Sequence, residues 1–212
     1  MFYAVAERER KGAKSPHELA MVNLLLFNLL AGVALLAGSM AEPDSLIAAY
    51  RWVVVSAPLI LSLAVILFTW LRAEKARSAG PWFVAAHWRL AAGRYRILLL
   101  AYIVSAAVVS IGFFGGGDQE TLEQRIAELP PALQEMERQK LGSQDMGTAI
   151  WARIGVVPLV LTVMTLLMLE SGALYQAGRG ELPNGVVAAF PPPQDLPAST
   201  LPFPGGPGQG GQ

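Results

Sequence analysis

The sequence predicts an all-α integral membrane protein with four transmembrane helices, a short helical periplasmic loop and a disordered C-terminal tail. Three observations carry this expectation. Four apolar stretches approach or exceed the roughly 20 helical residues that cross a hydrocarbon core. Apolar residues make up 53% of the 212-residue chain and charged residues 15%, against roughly 45–50% and about 25% in soluble domains. The net charge of zero hides a segregation of basic residues along the chain.

The first span is expected within Leu19–Met40. It follows a basic leader, residues 1–18, that ends in Ser15-Pro16-His17-Glu18. This tetrapeptide has the order of a helix start, with Ser15 as N-cap, Pro16 at the first helical position and Glu18 at the third. His17 then reads as a first-turn residue at the membrane surface. Asn28 lies deep enough in this span to need an interhelical hydrogen-bond partner. The same leader and span, with the exit GSMAEP, also resemble a signal peptide cleaved after Ala41, but the apolar tract is longer than the usual 7–15 residues or so.

The second span is expected over Leu46–Leu71 and the third over Ile97–Phe114. Between them, the link 72–96 contains PWFVAAHWRLAAGRYR, which has the composition of a helix lying in the interface with its basic groups toward anionic headgroups. The fourth span lies within 149–177, around an apolar core of Ile154–Leu169. Trp52, Trp70, Trp82, Trp88 and Trp151 sit near span ends, where an interfacial aromatic belt places such rings.

Spans two and four echo one another. APLILSLAVILF and VPLVLTVMTLLM align Pro58 with Pro158, and each has a hydroxyl residue four positions later. A repeat of two hairpins would produce this pattern, as would the ready resemblance of any two apolar segments. Each proline frees a carbonyl one turn back, which a Ser or Thr hydroxyl or a neighbouring helix can satisfy.

The loop 115–148 reads as two short helices split by Pro130-Pro131. Leu122, Ile126 and Leu129 form one apolar stripe, and Leu133 and Met136 another. The tail 178–212 contains eight prolines and eight glycines, a composition unable to bury enough apolar surface to offset its ordering entropy. Eleven of the sixteen basic residues fall in the N-terminus, the link 72–96 and the tail. The positive-inside rule therefore predicts a multi-pass protein of a bacterial inner membrane with both termini cytoplasmic.

No catalytic constellation is recognisable, and a non-enzymatic protein is expected. Both histidines fall at the expected cytoplasmic interface, away from any buried acid that could complete a serine triad. Neither a GxxxxGK[ST] loop nor an HExxH helix occurs. The absence of cysteine excludes disulfides and thiolate metal sites, so neither a metal nor a cofactor is expected. His17 and His87 as axial ligands of one haem is a weaker idea, because membrane haems are better held from within spans. The basic residues flank the membrane, so no nucleic-acid partner is expected.

Two sets of polar residues stand out. Arg51 and Arg153 lie just inside the periplasmic ends of their spans, each near a tryptophan. They either snorkel to headgroups or converge as an anion or lipid-headgroup site. Glu170 ends the fourth span, where Arg72 or Arg96 could pair with it. The leading functional expectation is a non-enzymatic accessory or assembly subunit of a larger inner-membrane complex. Its partners would be membrane lipids and membrane proteins met through the spans, the periplasmic loop or the Pro-rich tail. The alternative is a small transporter component or channel with a periplasmic-side anion or lipid-headgroup site.

Overall fold

The computed structural model describes residues 1–40, 50–114, 126 and 128–202. Its elements run β1 (Phe2–Tyr3), α1 (Glu7–Val22), a π-helical segment (Asn23–Asn28), α2 (Leu29–Met40), α3 (Arg51–Ala79), α4 (Trp82–Phe114), α5 (Pro131–Arg179), α6 (Asn184–Ala189) and β2 (Ala198–Ser199). Among the described residues the protein is all-α apart from one short strand pair. Four of its helical stretches are long and apolar enough to cross a membrane: Glu7–Ala37, Val53–Ala79, Trp82–Ile111 and Arg153–Arg179.

The first helix begins earlier than its capping signal suggests. It starts at Glu7, after Ala6, without a side-chain cap, and Pro16 lies inside it. ERERK is a run of good helix formers, with Glu7 and Glu9 favourably placed at the positive end of the helix dipole. Packing completes the preference for helix, because Ala13, Pro16 and His17 are buried. His17 is therefore a mid-helix core residue and not a first-turn surface one.

The link expected to lie flat in the interface is likewise the first half of α4. Phe83, Ala86, Trp88, Ala91, Tyr95 and Leu98 are buried in one stripe at helical spacing, so residues 82–96 continue the span axis inside the bundle. The second half of the expected loop joins the fourth span in the same way. Pro130 precedes α5 and Pro131 stands in its first turn, where a missing N–H leaves no helical bond unmade. One continuous helix then runs to Arg179. The expected first short helix and the cleavage site near Ala41 lie largely outside the described residues.

α1–α2 and α4 form a central pair, with α3 and α5 packed on opposite sides of it. Inward-facing residues recur at three- and four-residue steps: Ser62, Ile66, Thr69 and Ala73 on α3, and Val156, Leu159, Val163, Leu166, Glu170 and Ala173 on α5. The outward faces are apolar as well; Ile103 is 66% exposed and Met168 78%. Such surfaces suit a hydrocarbon solvent and not water. Gly155 lets α5 approach α4, since a Cβ there would lie 2.5 Å from Val109 and 3.3 Å from the Ser105 carbonyl oxygen. Gly155→Val should destabilise this seam by about 1–3 kcal/mol through overpacking. A melting temperature unchanged from the parent would show that the seam gives way freely.

The tail departs from its composition. Gly180 (φ 72°) ends α5 in the left-handed region, where glycine carries no Cβ penalty. The chain then folds back: Tyr3 N–H donates to the Gly180 carbonyl, Leu182 N–H to the Met1 carbonyl, and the N-terminal ammonium to the Leu182 carbonyl. β2 pairs antiparallel with β1. Leu182 is fully buried among Tyr3, Phe83 and Ala177, and Phe190 stacks on Trp82. Residues 180–202 thus pack against the bundle end through Leu182, Val186, Val187, Phe190 and Leu196, while Leu201 stays 72% exposed. Residues 203–212 lie outside the described chain. Both terminal segments meet at the same end of the molecule.

Candidate functional site

Extending α1 and α4 past the expected span limits carries both histidines into the core. His17 follows Ala13 on the inward stripe of α1, and His87 precedes Ala91 and Tyr95 on that of α4; both are fully buried. Nδ1 of His17 lies 2.5 Å from Oε2 of Glu170 on α5, and Nε2 of His17 lies 2.8 Å from Nδ1 of His87. The two imidazoles meet edge to face at 5.1 Å, and Phe83 packs on His87 at 4.8 Å. Glu170, only 2% exposed, uses its second oxygen for Arg94, whose Nη1 lies 3.2 Å away. Arg94 also donates to the Leu169 carbonyl. Three helices thus build a line, Arg94–Glu170–His17–His87, and Nε2 of His87 ends it beside the backbone of Glu181 without a hydrogen bond of normal geometry.

The charges balance within this line. An ionised Glu170 offsets Arg94, so both imidazoles can be neutral with no net charge buried. That balance suits a low-dielectric interior, where an unpaired ion is expensive. In the neutral arrangement Nδ1–H of His17 donates to Glu170, and Nε2 of His17 accepts from Nδ1–H of His87. Nε2 of His87 then carries the free lone pair at the end of the line, buried with its ring.

A second polar knot lies deeper in the bundle. Asn28 donates through Nδ2 to the Asn23 carbonyl (3.0 Å) and to Ser62 Oγ (3.0 Å), while its Oδ1 accepts from the Tyr102 hydroxyl. Ser62 and Tyr102 are in turn 2.7 Å apart. The knot explains the π-helical turn from Asn23 to Asn28. The widened turn gives α1–α2 an extra inward position and lets the Asn28 amide satisfy a backbone carbonyl. Such π segments recur at functional sites. It also uses Ser62 for interhelical bonding and not for the carbonyl freed by Pro58. Thr69 and Thr165 bond the carbonyls of Val65 and Leu161 one turn back on their own helices.

Between the two knots stand Leu24, Ile66, Leu98 and Leu166, all buried. Tyr95 lies at the edge of this layer, its hydroxyl beside Asn23 and Thr69 without a bond of normal geometry; Asn23 Nδ2 and Ser105 Oγ are also buried without a partner. Buried polar atoms of this kind mark places where water completes the bonding. The bundle axis therefore carries polar groups at several levels, interrupted by one apolar layer.

The residues singled out in the sequence are dispersed. Glu170 pairs with Arg94 and not with Arg72 or Arg96; the exposed Arg72 instead lies over the Trp88 ring at 6.0 Å. Arg153 is exposed, and the side chains of Arg51 and Trp52 lie outside the described residues. Trp70 donates to the Ala92 carbonyl. Trp82 donates to the Phe190 carbonyl, and Trp88 is 6% exposed against α3. These last two rings serve internal packing, whereas Trp151 is exposed. The haem arrangement does not fit, because imidazole nitrogens in direct contact at 2.8 Å leave no gap for an iron and its macrocycle, for which two ligand bonds of about 2 Å each are needed.

Comparison with family models, with curated proteins and with solved structures finds no match to this chain.

Proposed function

We propose that this chain is a proton-handling component of a membrane transport system, placed in a bacterial inner membrane with both termini in the cytoplasm. The reading rests on one observation: the buried, charge-balanced line from Arg94 and Glu170 through His17 to His87. Ionisable chains of Glu and His inside membrane bundles are functional candidates by default, and proton relays are one of their recognised uses. The accessory-subunit expectation draws on the periplasmic loop, whose residues 115–125 lie outside the described chain, and finds no comparable support. The relay favours the transport alternative, with its site at the basic end and not at Arg51 and Arg153.

The line can pass a proton by single, balanced shifts. A proton added at Nε2 of His87 releases the Nδ1 proton of that ring to Nε2 of His17. His17 then hands its Nδ1 proton to Glu170, which becomes neutral. One proton has entered at one end and one rests on the carboxyl at the other, with each ring returned to a neutral tautomer. The same steps run in reverse when the carboxyl gives up its proton. The layer of Leu24, Ile66, Leu98 and Leu166 slows passage beyond the line without abolishing it, as apolar constrictions do.

The test is potential-driven proton uptake into proteoliposomes holding the full chain, read with an internal pH dye. Uptake above that of protein-free vesicles is expected, and His17→Gln should bring it down to their level. Glutamine keeps polarity at the position but cannot exchange protons at two ring nitrogens. Equal uptake by the parent and by His17→Gln, or none by either, would remove the basis for the reading.

A further inference from the structure

A second site, which shares only Arg94 with the relay, lies on the lipid-facing side of the basic end. A cavity of about 660 Å³ opens between the C-terminal turns of α3, the first half of α4 and α6. Its rim carries Arg77, Arg89, Arg94 and Arg96 against one acid, Glu74. Three of the five already have partners: Arg94 holds Glu170 and the Leu169 carbonyl, while Glu74 sits 3.7 Å from Arg77 in an exposed i,i+3 pair that contributes little. Arg89 stands over the Phe190 ring at 5.0 Å. Among the described residues neither Arg89 nor Arg96 forms an ion pair with a carboxylate.

The floor of the cavity is of a different character. Trp70 and Ile97 line it, and the Trp70–Ala92 hydrogen bond ties α3 to α4 beneath it. From these two residues both helices continue toward the middle of the bundle with exposed apolar side chains, Leu67 at 56% and Leu100 at 60%. A guanidinium rim above an apolar furrow that leads toward the membrane centre matches an amphipathic anion. Its phosphate would meet Arg89 and Arg96, with Arg77 in reach if it leaves Glu74, and its acyl chain would lie along Leu67 and Leu100. Guanidinium forks suit phosphate oxygens through paired, charge-assisted hydrogen bonds.

We propose that this cavity binds the phosphate of an anionic phospholipid from the leaflet at the basic end. The occupant is a lipid and not a free phosphate because half of the site is apolar and runs along the spans. The α6 segment, which brings Val186, Ala189 and Phe190 to the cavity wall, makes the site depend on the folded tail.

The experiment is native mass spectrometry of the delipidated full chain titrated with phosphatidylglycerol, phosphatidylcholine or inorganic phosphate. A single retained phosphatidylglycerol is expected, with weaker retention of phosphatidylcholine. Arg89→Gln/Arg96→Gln should weaken phosphatidylglycerol binding by about 30-fold, the loss expected for two basic groups at a membrane surface. Lys75→Gln, an exposed basic residue that does not line the cavity, should leave it unchanged. Arg89→Lys/Arg96→Lys, which keeps the charge and the fold, should fall between parent and glutamine variant. Equal weakening by Lys75→Gln would show diffuse attraction and overturn the site. Inorganic phosphate bound as tightly as the lipid would overturn the lipid as occupant. Phosphatidylglycerol retained in full by both double variants would sink the proposal altogether.

Discussion

Replacing Glu170 by leucine is expected to destabilise the folded bundle by about 3–5 kcal/mol, the range for removing one partner of a buried ion pair. The carboxylate is 2% exposed and serves two cations or potential cations at once, Arg94 through one oxygen and His17 through the other. Leucine fills the volume but leaves Nδ1–H of His17 without an acceptor. It also leaves Arg94, whose side chain is 15% exposed, with only the Leu169 carbonyl to face. Arg94 can swing partly toward the cavity rim, which places the effect nearer the lower end of the range. The second arm is the double variant Glu170→Leu/Arg94→Leu. If the damage in the single variant is mainly an uncompensated charge, removing the arginine as well should restore a large part of the loss, a coupling visible only in the cycle. Thermal unfolding of the parent, Glu170→Leu, Arg94→Leu and the double variant in one lipid nanodisc measures it. A loss within about 0.5 kcal/mol, the size of an ordinary surface substitution, would mean that water already shields Glu170 and that the line is not charge-balanced as described.

Much of the architecture was legible because membrane spans announce themselves by length and composition. Four apolar runs gave four long helices, and the inward stripes follow the ordinary helical period. The site was harder to read. Ser15-Pro16 carried a local cap signal strong enough to end the helix there, and that placed His17 at a surface. Tertiary packing of Ala13 against α4 and α5 outweighed it. The aromatic and basic composition of residues 82–96 similarly suggested an interfacial helix, because charge on one face of a helix does not reveal whether the other face meets lipid or protein. Once α4 is continuous from Trp82, the spacing His87–Ala91–Tyr95–Leu98–Tyr102–Ser105 shows the polar positions on one stripe, and that spacing was present in the sequence. The pairing of Glu170 with Arg94 was not, since Arg72, Arg94 and Arg96 all lie near the same membrane level. Residues 180–202 depart from the expectation for a simple reason. Average composition counts prolines and glycines, whereas order here depends on a few large apolar groups, Leu182 and Phe190 above all, meeting prepared partners.

Ending the chain after Gly180 is therefore expected to weaken the protein substantially and not to be silent. The truncation removes Leu182, whose full burial is worth about 1.5–3 kcal/mol, together with the Phe190 stack on Trp82 and the β2 partner of the N-terminal strand. The N-terminal residues lose the Leu182 amide and carbonyl that hold Met1, so Tyr3 and Val5 should detach with them. Leu182→Ala isolates the packing share of this loss, about 2–5 kcal/mol for a buried leucine; the truncation should exceed it. Melting temperatures of the two variants, with hydrogen exchange at the amide of Tyr3, which both retain, separate the contributions. A truncated chain that melts with the parent would show that the clasp adds nothing to the bundle. The functional consequence runs in the opposite direction. The backbone of Glu181 lies beside Nε2 of His87, at the end of the line where a proton would enter, and the clasp excludes water from that nitrogen. With the clasp gone, water reaches Nε2 directly. Proteoliposomes of the truncated chain that still insert should therefore take up protons faster than the parent despite their lower stability. Slower uptake in correctly inserted protein would mean that the proton enters elsewhere and that the clasp only holds the helices together.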